Sequence, residues 1–189
     1  NLATARAATV GGGEFNIAAG EFSTIAGGGP TNPTNPSVTN NQIFDHHGTI
    51  GGGGGNRVGT DDGEPTFQDY AAVSGGRFNT AAGQESTVGG GSLNTASNSR
   101  STVAGGRLNE AHGIASFVGG GEFNSATGTS ACVPGGASND ATGDYSFAIG
   151  QACDADGETS FAGGYFAIAA GDGSFCWNDR SFGTSLIAA

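Results

Sequence analysis

Apolar side chains recur along this chain at a fixed interval that suits neither an amphipathic helix nor a plain alternating strand. Val73, Val88, Val103, Val118 and Val133 stand fifteen residues apart, Val10 and Ile25 keep the same spacing, and Asn79, Asn94, Asn109, Asn124 and Asn139 each follow a valine by six residues. An apolar and a polar column in one register mark an internal repeat, which has to be read before any single element. The unit is Ser/Ala-Thr-Val-x-Gly-Gly-x-x-Asn-x-Ala-x-Gly-x-x, completed by the alanines 81, 96, 111, 126 and 141 and by Gly83, Gly113, Gly128 and Gly143. Asn98 takes the place of one glycine, and asparagine also tolerates the left-handed backbone of a turn. Toward the end the period falls to fourteen, as Ser146-Phe147-Ala148, Ser160-Phe161-Ala162 and Ser174-Phe175-Cys176 show.

Fifteen residues are too few for two packed helices. The glycine pairs instead punctuate two short extended segments per unit, one at Ser-Thr-Val and one at Asn-x-Ala, so each unit predicts one coil of an all-β solenoid with two strands. Coils stacked at about 4.8 Å over the eleven anchor positions from Val10 to Cys176 predict a rod on the order of 50 Å long. If Val88 points inward, Thr87 points out, and the outward column then reads Thr9, Thr24, Thr49, Ala72, Thr87, Thr102, Phe117, Cys132, Phe147. That column is single and interrupted, unlike the flat paired threonine ladders of ice-binding solenoids. The asparagines Asn16, Asn56, Asn79, Asn94, Asn109, Asn124 and Asn139 read as a structural ladder that satisfies backbone groups at the turns. One inward valine per coil is little apolar burial against the entropy of ordering fifteen residues. Self-association is the expected remedy, with the small residues Ala81, Ala96 and Ala126 permitting close approach between subunits.

Composition sharpens this picture. The chain of 189 residues has 38 glycines and 5 prolines without a three-residue period, which excludes collagen. Its charged fraction of 12% against 35% hydrophobic residues is the reverse of a disordered composition. A formal charge of −11 with only 6 Lys+Arg leaves no basic stripe for nucleic acid. No run of 18 apolar residues exists, so direct membrane insertion of this segment is not expected, and Asn1 to Val10 lacks the features of a signal peptide. The reading is of an exported piece separated from its export and anchoring segments. Cys132, Cys153 and Cys176 are odd in number and fall in different columns; they read as free thiols, with a bridge between subunits as the alternative.

The segment Ala141 to Ala162, with Ala141, Gly143, Ser146, Ala148 and Gly150 and then Ala155, Gly157, Ser160 and Ala162, resembles the head repeat of trimeric autotransporter adhesins (YadA-like heads), whose unit is Ala-x-Gly-x-x-Ser-x-Ala-x-Gly. The likeness is densest over 141–176 and extends through the fifteen-residue coils back to residue 8, where the Gly-Gly variant also looks like repeats of tail-fibre-like bacterial surface proteins. The resemblance implies a left-handed parallel β-roll, a homotrimer, and an adhesive head on a bacterial outer membrane or surface fibre, a virulence-associated role. The family's collagen-binding sequence Asn-Ser-Val-Ala-Ile-Gly is represented only by Tyr145-Ser146-Phe147-Ala148-Ile149-Gly150, so collagen binding is not carried over.

Two insertions interrupt the repeat, and in solenoids such departures are where ligands are met. Ile25 to Ile50 is ten residues longer than one coil, the excess lying at about 29–40 with Pro30, Pro33 and Pro36; Ile50 to Val73 is eight longer, the excess lying at about 60–68. Candidate contacts to a surface protein or glycan are Asn32, Asn35, His46, His47, Asp61, Asp62, Glu64 and Phe67. The insertions leave different corners of neighbouring coils, so a pad composed of both requires adjacent subunits of an oligomer.

Asp61, Asp62, Glu64 and Asp69 could supply oxygen ligands, but they match neither a twelve-residue calcium loop nor the nine-residue calcium repeat; no metal and no cofactor is assigned. No nucleophile, base and acid can be assembled from the spacing, so the chain reads as non-catalytic. The aromatic run Phe161, Tyr165, Phe166, Phe175 and Trp177 reads as a cap closing the roll, with sugar stacking as its second reading. The organisation is a β-roll head over 1–176 and a C-terminal extension over 177–189 leading out of it. The expected function is a non-catalytic extracellular adhesin or fibre head, the alternative a structural spacer without a ligand of its own.

Overall fold

The computed structural model describes residues 1–36, 39–61, 70–180 and 186–188. Each coil gives one short strand to each of two parallel sheets, and among the described residues each sheet holds twelve strands. One sheet begins at Leu2–Ala3 and continues through Ile17–Ala18 and Gln42–Ile43 to Leu186–Ala188. The other begins at Thr9–Val10 and ends at Phe175–Asn178, with Gly136–Ala137 paired beside its main path. The chain alternates between them, so every strand pairs with the strand one coil on.

Pairing follows the repeat: Thr87 lies opposite Thr102 and Thr95 opposite Glu110, a step of fifteen, whereas Phe147 lies opposite Phe161, a step of fourteen. Backbone bonds such as Thr95 N–H to the Asn109 carbonyl at 2.9 Å and Thr102 N–H to the Ser116 carbonyl at 2.9 Å run from each coil to the next. The all-β solenoid with two strands per coil is therefore the fold.

Alternation decides which side chains meet inside. In the second sheet Ile25, Ile50, Val73, Val88, Val103, Val118 and Val133 are fully buried, and in the first Ala81, Ala96, Ala111, Ala126 and Ala141 are equally buried opposite them. We call these the valine sheet and the alanine sheet. The sequence reading placed Ala81, Ala96 and Ala126 at subunit contacts; the structure puts them in the core. Asn and Ala stand two residues apart in each unit, and residues i and i+2 of a strand share a face. Once the asparagine turns inward, the alanine follows. The narrow core also explains Gly48. A methyl group there would press against Ile43 and Val58, which in this coil are larger than the usual alanine and fill the space that a serine occupies in other coils.

Turns carry a regular left-handed step on non-glycine residues. Phe78, Leu93, Leu108 and Phe123 have φ of 55–61° at one corner, and Phe22, His47 and Tyr70 have φ of 56–66° at the other. Close stacking sets the glycine requirement at the second corner, where a side chain on Gly113 or Gly128 would collide with the backbone carbonyl of the next coil.

The C-terminal end differs from the sequence reading. The extension beginning at 177 was expected to leave the roll, yet Phe175–Asn178 is one continuous strand of the valine sheet, and Leu186–Ala188 returns to the alanine sheet with Ala188 opposite Ala169. The return was hidden because the register step there is nineteen, from Ile168 to Ile187, which is not a period of the repeat.

Candidate functional site

The polar ladder fixes the frame from which any site projects. Asn94 donates its backbone N–H to Asn79 Oδ1 at 3.0 Å and its Nδ2 to the Gly90 and Gly106 carbonyls at 2.8 and 2.9 Å. The same pattern recurs at Asn109, Asn124 and Asn139. It extends down through Asn79, Asn56 and Asn41 to Asn16, which is held by Asn1. All of these but Asn1 are buried, so the asparagines are structural groups with their hydrogen bonds turned inward. The column ends where Cys153 replaces asparagine: its backbone N–H still donates to Asn139 Oδ1 at 3.1 Å, and its thiol reaches the Gln151 carbonyl at 3.7 Å.

The first insertion leaves the coil after Gly29 and closes on itself. Asn32 Oδ1 accepts the Thr34 backbone N–H at 3.0 Å and its hydroxyl at 2.7 Å, an Asx turn. The Thr39 hydroxyl faces the Asn32 and Asn35 carbonyls at 3.1 and 2.9 Å. Asn40 Nδ2 anchors the loop to the Phe15 carbonyl at 2.6 Å. The prolines restrict φ, and the exposed Asn32 and Asn35 therefore sit on a braced turn. Beneath it Leu2, Phe15, Ile17 and Pro36 line a shallow apolar cleft.

His46 and His47 lie at the other corner. His47 is exposed and sandwiched between Phe22, with ring centroids 5.1 Å apart, and Tyr70, at 4.7 Å; the Arg6 guanidinium covers the free face of Phe22 at 5.4 Å. The stack spans consecutive coils because residues 22, 47 and 70 occupy the same left-handed turn position. His46 is half-buried, and its carbonyl accepts the Tyr70 N–H at 3.3 Å. Asp61 is exposed at the start of the second insertion. Asp62, Glu64 and Phe67 lie outside the described residues, as does Asp69. Within one chain the structure thus brings His47 to Phe22 and Tyr70 but leaves Asn32 and Asn35 at the opposite corner. Sequence reasoning missed Phe22 and Tyr70. The signal was there in their shared column, obscured by spacings of 25 and 23.

The two outer faces of the rod differ in charge. The alanine sheet presents Glu110, Asp140 and Asp154 in one outward column, and Asp156 adds to their field. Burial first, with help from neighbouring carboxylates, raises both Asp140 and Asp154 above the usual aspartate range; a Ser125 hydrogen bond partly offsets this at Asp140. The valine sheet presents Phe117, Cys132, Phe147, Phe161 and Phe175. Phe147, Phe161 and Phe175 stack with centroids 5.2 and 4.8 Å apart.

The aromatic run expected to cap the core therefore lies outside it, with Phe175 66% and Trp177 55% exposed. The core at that end is closed by small residues, Ala162, Ala169 and Cys176. All three thiols are free: Cys153 and Cys176 are buried, Cys132 is on the outer face. Among the described residues no three His, Cys, Asp or Glu side chains gather as a metal site, and no described helix is long and apolar enough to cross a membrane.

No known protein family matches the sequence, and no curated protein matches it.

Proposed function

We propose that this chain is a non-catalytic, self-associating head or shaft segment of an extracellular bacterial fibre, a homotrimer by the resemblance of its repeat, that contacts surface proteins or glycans at the corners of its N-terminal coils. The observation that carries the reading is where regularity fails. From Ala72 to Phe147 the rod repeats without interruption, whereas both insertions and the exposed Phe22–His47–Tyr70 stack fall between Phe22 and Tyr70. A rod needs none of these to fold. The same left-handed turn position is held by Glu85, Arg100 and Ala115 in the regular coils, so the turn itself does not require aromatic rings, and contact with a partner accounts for three of them in register here.

The test replaces both insertions with regular turns, substitutes His47→Ala, and measures binding to host cells, matrix proteins and a glycan array. Loss of binding by a variant with unchanged circular dichroism supports the proposal; binding equal to wild type refutes it. The unbroken asparagine ladder favours the second reading, a spacer that only sets distance. A wild-type chain that binds none of these surfaces, yet assembles, would establish that one.

A further inference from the structure

Among the described residues, the outer face of the valine sheet is a broad surface on which side-chain chemistry and charge agree. Its main outward column runs from Thr9 to Phe175 without a charged residue, in a chain of net charge −11. Threonines, with Ala72 among them, fill its N-terminal half. From Phe117 onward it becomes aromatic, with Phe117 39% and Phe175 66% exposed and Trp177 55% exposed beside them. Trp177 lies over Gly163, whose missing side chain leaves room for the indole against Phe161.

A change inside the rod accompanies this change outside it. Where the outward residue becomes Phe147 and Phe161, the inward residue shrinks from valine to Ala148 and Ala162, and the coil shortens to fourteen residues. In these coils Cys153 and Ala167 also stand in place of the buried asparagines of earlier coils, so the interior stays apolar while large rings are added outside, and exposed rings in register are stabilised by being covered.

We propose that a second copy of this chain covers it: the outer face of the valine sheet, centred on Phe117, Phe147, Phe161 and Phe175, is the self-association surface, with the copies running parallel. This rests on the self-associating reading above and specifies its interface. Charge selects the occupant's face. Packing two alanine sheets together would set Glu110, Asp140 and Asp154 against their own counterparts, and like charges in a desolvated contact oppose association. Packing two valine sheets together opposes no like charges along the main column. Length selects the direction: for copies that overlap along their whole length, the aromatic half of one meets the aromatic half of the other when both run the same way, whereas antiparallel copies in that overlap would set phenylalanines against Thr9, Thr24 and Thr49.

Light scattering on the full chain and on four variants decides this, with circular dichroism to check folding. Wild type is expected at a multiple of 18.4 kDa. Phe161→Asp and Phe117→Asp are expected to weaken association by about 30-fold or more, the scale of a disrupted interface anchor; both residues point outward, and two separate sites guard against one variant misfolding. Thr95→Asp on the alanine sheet and Leu108→Asp at the corner are expected to keep the wild-type mass. If Leu108→Asp or Thr95→Asp dissociates the protein and the phenylalanine variants do not, the face is wrong while the self-associating reading stands. A wild-type chain that stays single at high concentration overturns both.

Direction is read by a nitroxide pair. With Cys132→Ser and Asp172→Cys, parallel copies place their labels a rod's width apart. Antiparallel copies would separate them by roughly the rod length, about 50 Å from the coil spacing, and that distance would overturn the parallel arrangement.

Discussion

Asn109 allows the ladder to be tested at a single side chain. Its Nδ2 donates to the Gly105 and Gly121 carbonyls at 2.9 Å each, and its Oδ1 accepts both the backbone N–H and the Nδ2 of Asn124 at 3.0 Å. The residue is fully buried. Asn109→Ala leaves a peptide N–H and two carbonyls without these partners, and a buried group so orphaned costs about 1–3 kcal/mol. Relaxation and water entry offset part of the sum, so a loss of roughly 3–6 kcal/mol is expected, a large share of the usual stability of a folded domain.

Chemical denaturation followed by circular dichroism measures it, with Asn109→Asp as companion. That variant keeps the accepting oxygen but turns a carboxylate toward two carbonyls, so its folded pKa is raised above the ordinary aspartate value of about 3.9. The native state then binds more protons than the unfolded state, and the variant's stability rises as pH falls through the raised folded value, levelling off below the unfolded one. A loss below about 1 kcal/mol in Asn109→Ala, or no pH dependence beyond wild type in Asn109→Asp, would refute the view that the ladder holds the coils together.

Gly128→Ala drives a methyl into the Gly143 carbonyl of the next coil, whereas Gly105→Ala meets nothing within 4 Å; thermal melting should show the first strongly destabilised and the second within about 1 kcal/mol of wild type. Asp140→Asn removes a carboxylate whose pKa is raised by burial and by Asp156 and Glu110. Because its folded pKa exceeds the unfolded 3.8, wild type gains stability as pH falls from neutral through the folded value, so the variant should melt higher at pH 7 and lose part of that gain. Melts at pH 7 and pH 4 that are identical for the two proteins would contradict this. A thiol reagent at mild pH should find none of the three cysteines in the assembled wild type, Cys132 in dissociated Phe161→Asp, and all three after denaturation. Burial raises the thiol pKa of Cys132 and Cys153, so labelling of the half-buried Cys132 in the dissociated variant should accelerate as pH rises. Ready labelling of Cys132 in the assembled protein would contradict the proposed interface.

The register was legible because stacked parallel coils force identical residues into line, and Val73 to Val133 with Asn79 to Asn139 display that line directly. The direction of the alanine column was legible too, by alternation from the asparagines, but small residues suggest close approach on either side of a strand and so invite the wrong side. The His47 stack required residues 22, 47 and 70 to be recognised as one turn position, and insertions in the intervening coils conceal that. The return of Leu186–Ala188 depends on pairing across a step of nineteen that no periodicity predicts. At the C-terminal aromatics, the strand pattern was correct and the inference from it was not. Phe161 and Phe175 continue the outward column of the threonines and Phe147, so their position is a matter of alternation, and only the assumption that large apolar groups must close a core made them a cap.

That placement changes how the rod as a whole must be understood. A solenoid coil has two places for apolar volume, inside and on the outer face of its sheets. Coils around Val88 and Val103 place valine inside and threonine outside, and such coils can be stabilised by their own neighbours along the axis. Coils around Ala148 and Ala162 place alanine inside and phenylalanine outside, and under the interface we propose part of their apolar burial comes from another chain. The stability of the two halves then depends on different things: the N-terminal half on the stacking of coils, the C-terminal half on stacking and on concentration, since a partner that binds only the folded face stabilises it by mass action. The insertions and the exposed His47 stack lie in the half that does not depend on the partner. A fibre built this way keeps its contact corners free of its own assembly surface, which is the separation a head that both self-associates and binds requires.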